Sequence, residues 1–89
     1  MRAVITVVGK DTVGIIAEVS HILKEHKINI LDITQSILDD LFVMVMLTDI
    51  SSTTLQFPAL VEAMTQLGDT LGLKIHVMHE DVFNSMHRV

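Results

Sequence analysis

The amino-acid sequence predicts an α+β fold, a four-stranded antiparallel sheet with two helices on one face in the order βαββαβ, plus a short C-terminal helix. Three observations predict it. Four apolar runs have the composition or the alternation of strands. Two intervening stretches space their apolar residues as helices do. Between the two middle strands, Asp39-Asp40 supplies a two-residue turn, which makes them a hairpin.

The first run, AVITVV at 3–8, is β-branched and apolar on both faces, so it belongs in the middle of the sheet. A helix follows in which Ile15, Ile16, Val19, Ile22 and Leu23 form the apolar stripe, with Asp11 or Thr12 as its N-terminal cap. INILDITQSIL at 28–38 returns to period two. Its alternation puts Asn29, Leu31, Ile33, Gln35 and Ile37 on one face and Asp32, Thr34 and Ser36 on the other. LFVMVMLTDI at 41–50 is apolar on both faces and reads as a second central strand. SSTT at 51–54 offers caps for a second helix, with Phe57, Leu60, Val61, Met64, Leu67 and Leu71 as its stripe, Pro58 in the first turn and Gly72 at its end. LKIHVMH at 73–79 alternates with one wet face, as an edge strand does. In the tail, acids open and His87 and Arg88 close a short helix. This order is that of a ferredoxin-like split βαβ unit. The boundary expected is a domain at 1–80 and a helical tail at 81–89.

Composition narrows the function. With 89 residues, 49% of them hydrophobic, the chain is one small folded domain, a size for which oligomerisation is a common source of stability. The uncovered sheet face would expose apolar residues of the two central strands, which implies self-association or a bound partner; Met44 and Met46 are candidates to line that surface. There is no cysteine, which excludes disulfides, thiolate metal sites and a cysteine nucleophile. A net charge of −5, scattered Lys and Arg, and the lack of Trp and Tyr argue against nucleic acid. No apolar run reaches membrane-spanning length or has the form of a signal peptide, so no membrane and a cytoplasmic location are expected.

The stretch VVGKDTVGIIAEVSHIL places Gly9, Asp11 and Gly14 where a strand becomes a helix. Helix N-termini carry free N–H groups and partial positive charge, so they bind carboxylates well. This stretch, INILDITQS after it, and the βαβ remainder resemble the ACT domain over nearly the whole chain, above all stand-alone bacterial ACT proteins and, more loosely, the ACT domains of the glycine-cleavage repressor. The resemblance implies a small ligand-sensing module that pairs and binds an amino acid between two copies. It implies a ligand site built from Gly9, Asp11, Gly14, Ile15, Asn29, Ile30 and Gln35, with Asp11 and Asn29 touching the ligand. Thr12 and Val13 stand where Arg-Pro is common in the family, and Asp11 where an amide is common in its amino-acid binders. Asp11 repels a carboxylate and suits an ammonium group.

The expectation is thus a non-catalytic regulatory homodimer that senses an amino acid or related small molecule and acts on a protein partner, without cofactor or metal. The alternatives are a structural or protein-binding module with no small ligand, and a metal-responsive histidine site. Structural uses of the same residues are a helix cap for Asp11, close packing for Gly14 and a turn for Asn29. Five histidines invite metal, but His76 and His79, three apart on a strand, point to opposite faces, and His21 and His26 share no helix face. Catalysis lacks a nucleophile–base pair; acylphosphatase, which has this topology, needs an arginine in the first loop, where this chain has Lys10 and Asp11.

Overall fold

A computed structural model gives the structure of residues 1–10 and 13–86. Its elements are β1 (Arg2–Lys10), α1 (Ile15–Glu25), β2 (Asn29–Leu38), β3 (Leu41–Asp49), α2 (Phe57–Leu71), β4 (Leu73–His79) and α3 (Glu80–Met86). The strands form one antiparallel sheet in the order β2-β3-β1-β4. The two strands apolar on both faces are central, and the fold is the ferredoxin-like one expected.

The core lies between the sheet and the two long helices. Ala3, Ile5 and Val7 of β1 are fully buried, beside Phe42, Met44 and Met46 of β3 and Leu73, Ile75 and Val77 of β4. Ile15, Val19 and Leu23 of α1 and Leu60 and Met64 of α2 close it from the other side. Apart from Ala3, each such side chain is worth roughly 1.5–3 kcal/mol of transfer free energy. Thr48, also buried, satisfies its hydroxyl by donating to the Ala3 carbonyl at 2.9 Å.

Met44 and Met46 therefore face the helices and cannot line a self-association surface. The open face presents their neighbours Val43, Val45 and Leu47, which are half-buried, together with Thr6 and Val8 of β1. At one end of the sheet α3 packs against β1 and β4, with the Arg2 guanidinium 3.2 Å from the Glu80 carboxylate. The charges expected at the end of the tail, on His87 and Arg88, lie outside the described residues.

Three local expectations are corrected. Ile16 is 38% exposed; only Ile15, Val19 and Leu23 of the α1 stripe are buried. The SSTT segment does not cap α2. Gln56 holds the N-cap position with no side-chain hydrogen bond, while the Ser51 hydroxyl accepts from the Met1 ammonium and Thr53 from the Leu55 N–H. The strict alternation of β2 breaks at a β-bulge between Ile30 and Asp32, where Leu31 is the extra residue. Asn29 pairs with Asp49 on the open-face register, whereas Ile33, Gln35 and Ile37 pair with Met46, Met44 and Phe42 on the helix-face register. Asn29 and Gln35 are therefore not on one face.

Pro58 stands in the first turn of α2, and Gly72, at φ 72°, ends that helix and turns directly into β4. The hairpin turn sits at Asp39-Asp40 as expected, with Asp39 at φ 60°.

Candidate functional site

Helix α1 starts at Gly14, whose φ of 91° is the left-handed conformation that glycine alone adopts without strain. The Gly14 carbonyl accepts the first helical bond, from the Glu18 N–H at 2.9 Å. No side chain of the described residues caps this end. Asp11 and Thr12, expected as caps, lie outside the described residues. A Cβ built on Gly14 would meet nothing of the described residues within 4 Å, so close packing against them is not its reason. Gly9 is different. A Cβ there would run into the Leu73 side chain, so its role is close approach of β1 to the start of β4.

Two surface depressions take up the other predicted residues. The first, about 280 Å³, is lined by Gly14, Ile15, Ile16, Ala17, Gln35, Ile37 and Phe42. It lies at the N-terminal end of α1, and the described residues that line it are uncharged. The second, about 490 Å³, is lined by Ser20, Lys24, Lys27, Ile28, Asn29 and Ile30 at the opposite end of α1. Both are open hollows, of the order of small-molecule sites in size. Of the predicted set, Gly14, Ile15 and Gln35 meet in one hollow and Asn29 and Ile30 in the other. At 1.5 Å per helical residue the two ends of α1 are roughly 15 Å apart. One chain does not bring the whole set together.

Ser20, Lys24 and Lys27 were not singled out by sequence. Ser20 and Lys24 are four apart on a helix and so share a face, which is a signal the sequence carries. Lys27 joins them through the end of the helix: the His26, Lys27 and Ile28 N–H groups donate back to the Ile22, Lys24 and Leu23 carbonyls. Lys27 itself has φ 58°.

The strand between the hollows, β2, is one of the two edge strands of the sheet. Along it Leu31, Ile33, Ile37 and Leu38 are exposed, and Leu41 and Ile16 flank them. Elsewhere, His76 is exposed on β4, and the His79 ring stacks on Phe57 with centroids 3.9 Å apart. His21 Nε2 lies 2.6 Å from Glu25 Oε1. Among the described residues no three His, Asp or Glu side chains converge on a metal position, and no helix is long and apolar enough to cross a membrane.

Near the second hollow, Asp49 at the end of β3 is held below the usual carboxylate range. The Ser51 hydroxyl and then its backbone N–H (2.9 Å) do this, helped by the Met1 ammonium and Arg2 and opposed by slight desolvation.

Comparison with known proteins agrees with this architecture. The chain is 55% identical over 89 residues to a UPF0237 protein of Clostridium perfringens, covering all of both chains. Its structure is similar to that of an ACT domain protein from Streptococcus pneumoniae, with TM-score 0.82, 40% identity and 93% of each chain covered. It is also similar to a candidate glycine cleavage system transcriptional repressor, with TM-score 0.73 and 28% identity, over 86% of this chain and 44% of that one. The ACT domain model matches residues 2–78, from the first strand to the penultimate residue of the last. With sheet order, helix placement and sequence in agreement over that whole span, the chain belongs to the ACT domain family.

Proposed function

We propose that the protein is a non-catalytic regulatory module that binds an amino acid or related small molecule between two copies of itself. The observation that carries this reading is the division of the expected ligand residues between two hollows at opposite ends of an unpaired, apolar edge strand. A two-fold pairing of β2 edges centred near Ile33 sets Asn29 of one copy opposite Ile37 of the other. The Asn29 hollow of each chain then adjoins the Gly14–Gln35 hollow of its mate, and two equivalent composite sites result. Edge pairing also buries Ile33 and Ile37 and satisfies the open backbone groups of β2.

Within such a site the N–H groups of α1, which no side chain of the described residues caps, suit the ligand's carboxylate, Asp11 its ammonium group, and the Asn29 amide either. Binding between copies stabilises the dimer by linkage, so the ligand's presence is reported as an assembly state that a protein partner can read. The likeness to a candidate repressor fits a regulatory role, and the acidic chain points to action through another protein.

The test combines thermal unfolding in a panel of amino acids, purine nucleotides, zinc and nickel with sedimentation velocity. A ligand at ~100 Kd adds about 2.7 kcal/mol, several degrees for a domain this size. The expected result is a dimer whose melting temperature rises with an amino acid. A monomer at all concentrations, or a response to metals alone, overturns the reading. A dimer indifferent to the whole panel favours a protein-binding module with no small ligand.

A further inference from the structure

We infer that the ligand of this composite site carries a second anionic group, a side-chain carboxylate or a phosphate ester, received by Lys24 and Lys27 at the Asn29 end. The inference rests on the composite-site reading and adds the chemical class of the ligand. The residues that line the Asn29 hollow include Lys24, Lys27, Ser20 and Asn29, and among the described residues no Asp or Glu lines it. That is unexpected in a chain of net charge −5. The ion pairs of the described residues join Met1 to Asp49 and Arg2 to Glu80, and the His21 ring meets Glu25; neither Lys24 nor Lys27 takes part in these contacts.

The backbone supplies a second argument. Lys24 in the last turn of α1 complements the helix dipole and needs no ligand to explain it. Lys27 has no such explanation. It occupies the left-handed position just past the helix end, where glycine or asparagine is the unstrained choice. The other non-glycine residue at positive φ among the described residues is Asp39, a type whose short side chain bonds locally and tolerates this conformation. Lysine has neither property. Strain of this kind persists where a side chain is required for something else, and here the residue lines the hollow beside Asn29. A ligand whose α-carboxylate sits at the N-terminus of α1 in one copy would then extend its second anion toward the lysines of the other.

The test is the melting temperature and affinity of the full chain, wild type and the variants Lys27→Gly and Lys24→Gln, at matched ionic strength. The probes are L-aspartate, L-glutamate and O-phospho-L-serine, against glycine, L-serine, L-asparagine and L-glutamine, with inorganic phosphate alone as the control. The expected result has three parts: the acidic probes bind at least ~10-fold tighter than their uncharged counterparts; Lys27→Gly melts a few degrees higher without ligand, through relief of strain; and it loses most of that preference. Whether the dicarboxylates or the phosphoserine bind tighter tells a carboxylate from a phosphate ester. Equal binding of acidic and neutral probes overturns the inference and leaves the amino-acid sensor standing. An equal shift with inorganic phosphate alone overturns it as screening of surface charge. A Lys27→Gly protein that melts lower, or that keeps the full preference, overturns the role of Lys27. If no probe binds, the inference falls, and sedimentation then decides separately whether the dimer stands.

Discussion

Two strands of one sheet, β1 and β2, draw on the same β-branched and aliphatic residues and end in opposite surroundings. Ile5 and Val7 of β1 are 0% exposed, whereas Ile33 and Ile37 of β2 are 38% and 58% exposed, although both pairs are directed to the helix side. The difference is position. β1 lies between β3 and β4 with helices across it, and β2 has one neighbouring strand and an open flank. Burial is thus a property of the place, and apolar residues kept where none of the described residues covers them are the material of an interface.

The comparison is broken most strongly from the buried side. Leu23→Ala, at a fully buried position on α1, is expected to lose about 3 kcal/mol, measured by urea unfolding. Ile33→Ala should lose under about 1 kcal/mol in the isolated chain, because much of its surface is already wet. If both cost the same under monomeric conditions, the contrast between the strands is wrong. Ile33→Glu sharpens it further. In the proposed dimer this charge on the open edge should leave the circular dichroism of the fold intact and shift sedimentation toward the monomer.

A smaller pair of effects separates the two glycines of the first junction. Gly9→Ala should cost about 2 kcal/mol, since its methyl would overlap the Leu73 side chain and move β1 away from β4. Gly14→Ala meets open space, so only its φ of 91° is at stake, at about 1 kcal/mol. Reversed magnitudes in thermal melts would mean that Gly14, not Gly9, is the packing glycine.

Much of this was legible in sequence because alternation and helical spacing report which way side chains point. The central strands 3–8 and 41–50, the Asp39-Asp40 turn and the ending of α2 at Gly72 all rest on such local chemistry. The bulge at Leu31 was not legible, since an extra apolar residue in an apolar run leaves no trace in composition. It moved Asn29 off the face of Gln35, while the run of strand between them, roughly 20 Å at about 3.3 Å per residue, is what places them in separate hollows. Ser51 and Thr53 looked like caps because their type is right, but they were engaged by the chain's start and by the loop itself. Lys24 and Lys27 together carry no pattern that marks them out in the sequence. Only the backbone angle at Lys27 distinguishes a lysine placed at some cost from one placed by convenience.

The smallest expected effect concerns Asp49, which joins the covered and open regions. It pairs with Arg2 of the buried strand β1 on one side and with Asn29 of the exposed strand β2 on the other. Its carboxyl is held below its usual value, first by the Ser51 hydroxyl and then by the Ser51 N–H. A carboxyl depressed in the folded state stabilises the fold while ionised, fully so above the value it has in the unfolded chain. That contribution is lost as pH falls through its folded value. The melting temperature of the wild type relative to Asp49→Asn should therefore be flat from pH 7 to 5 and decline between the usual carboxylate range and more acidic pH. The decline should be slight, because the group is exposed and screened. A wild type that tracks Asp49→Asn at every pH would mean that the Ser51 clasp does not hold in solution. The corner joining the two strands would then be fixed by the backbone ladder alone.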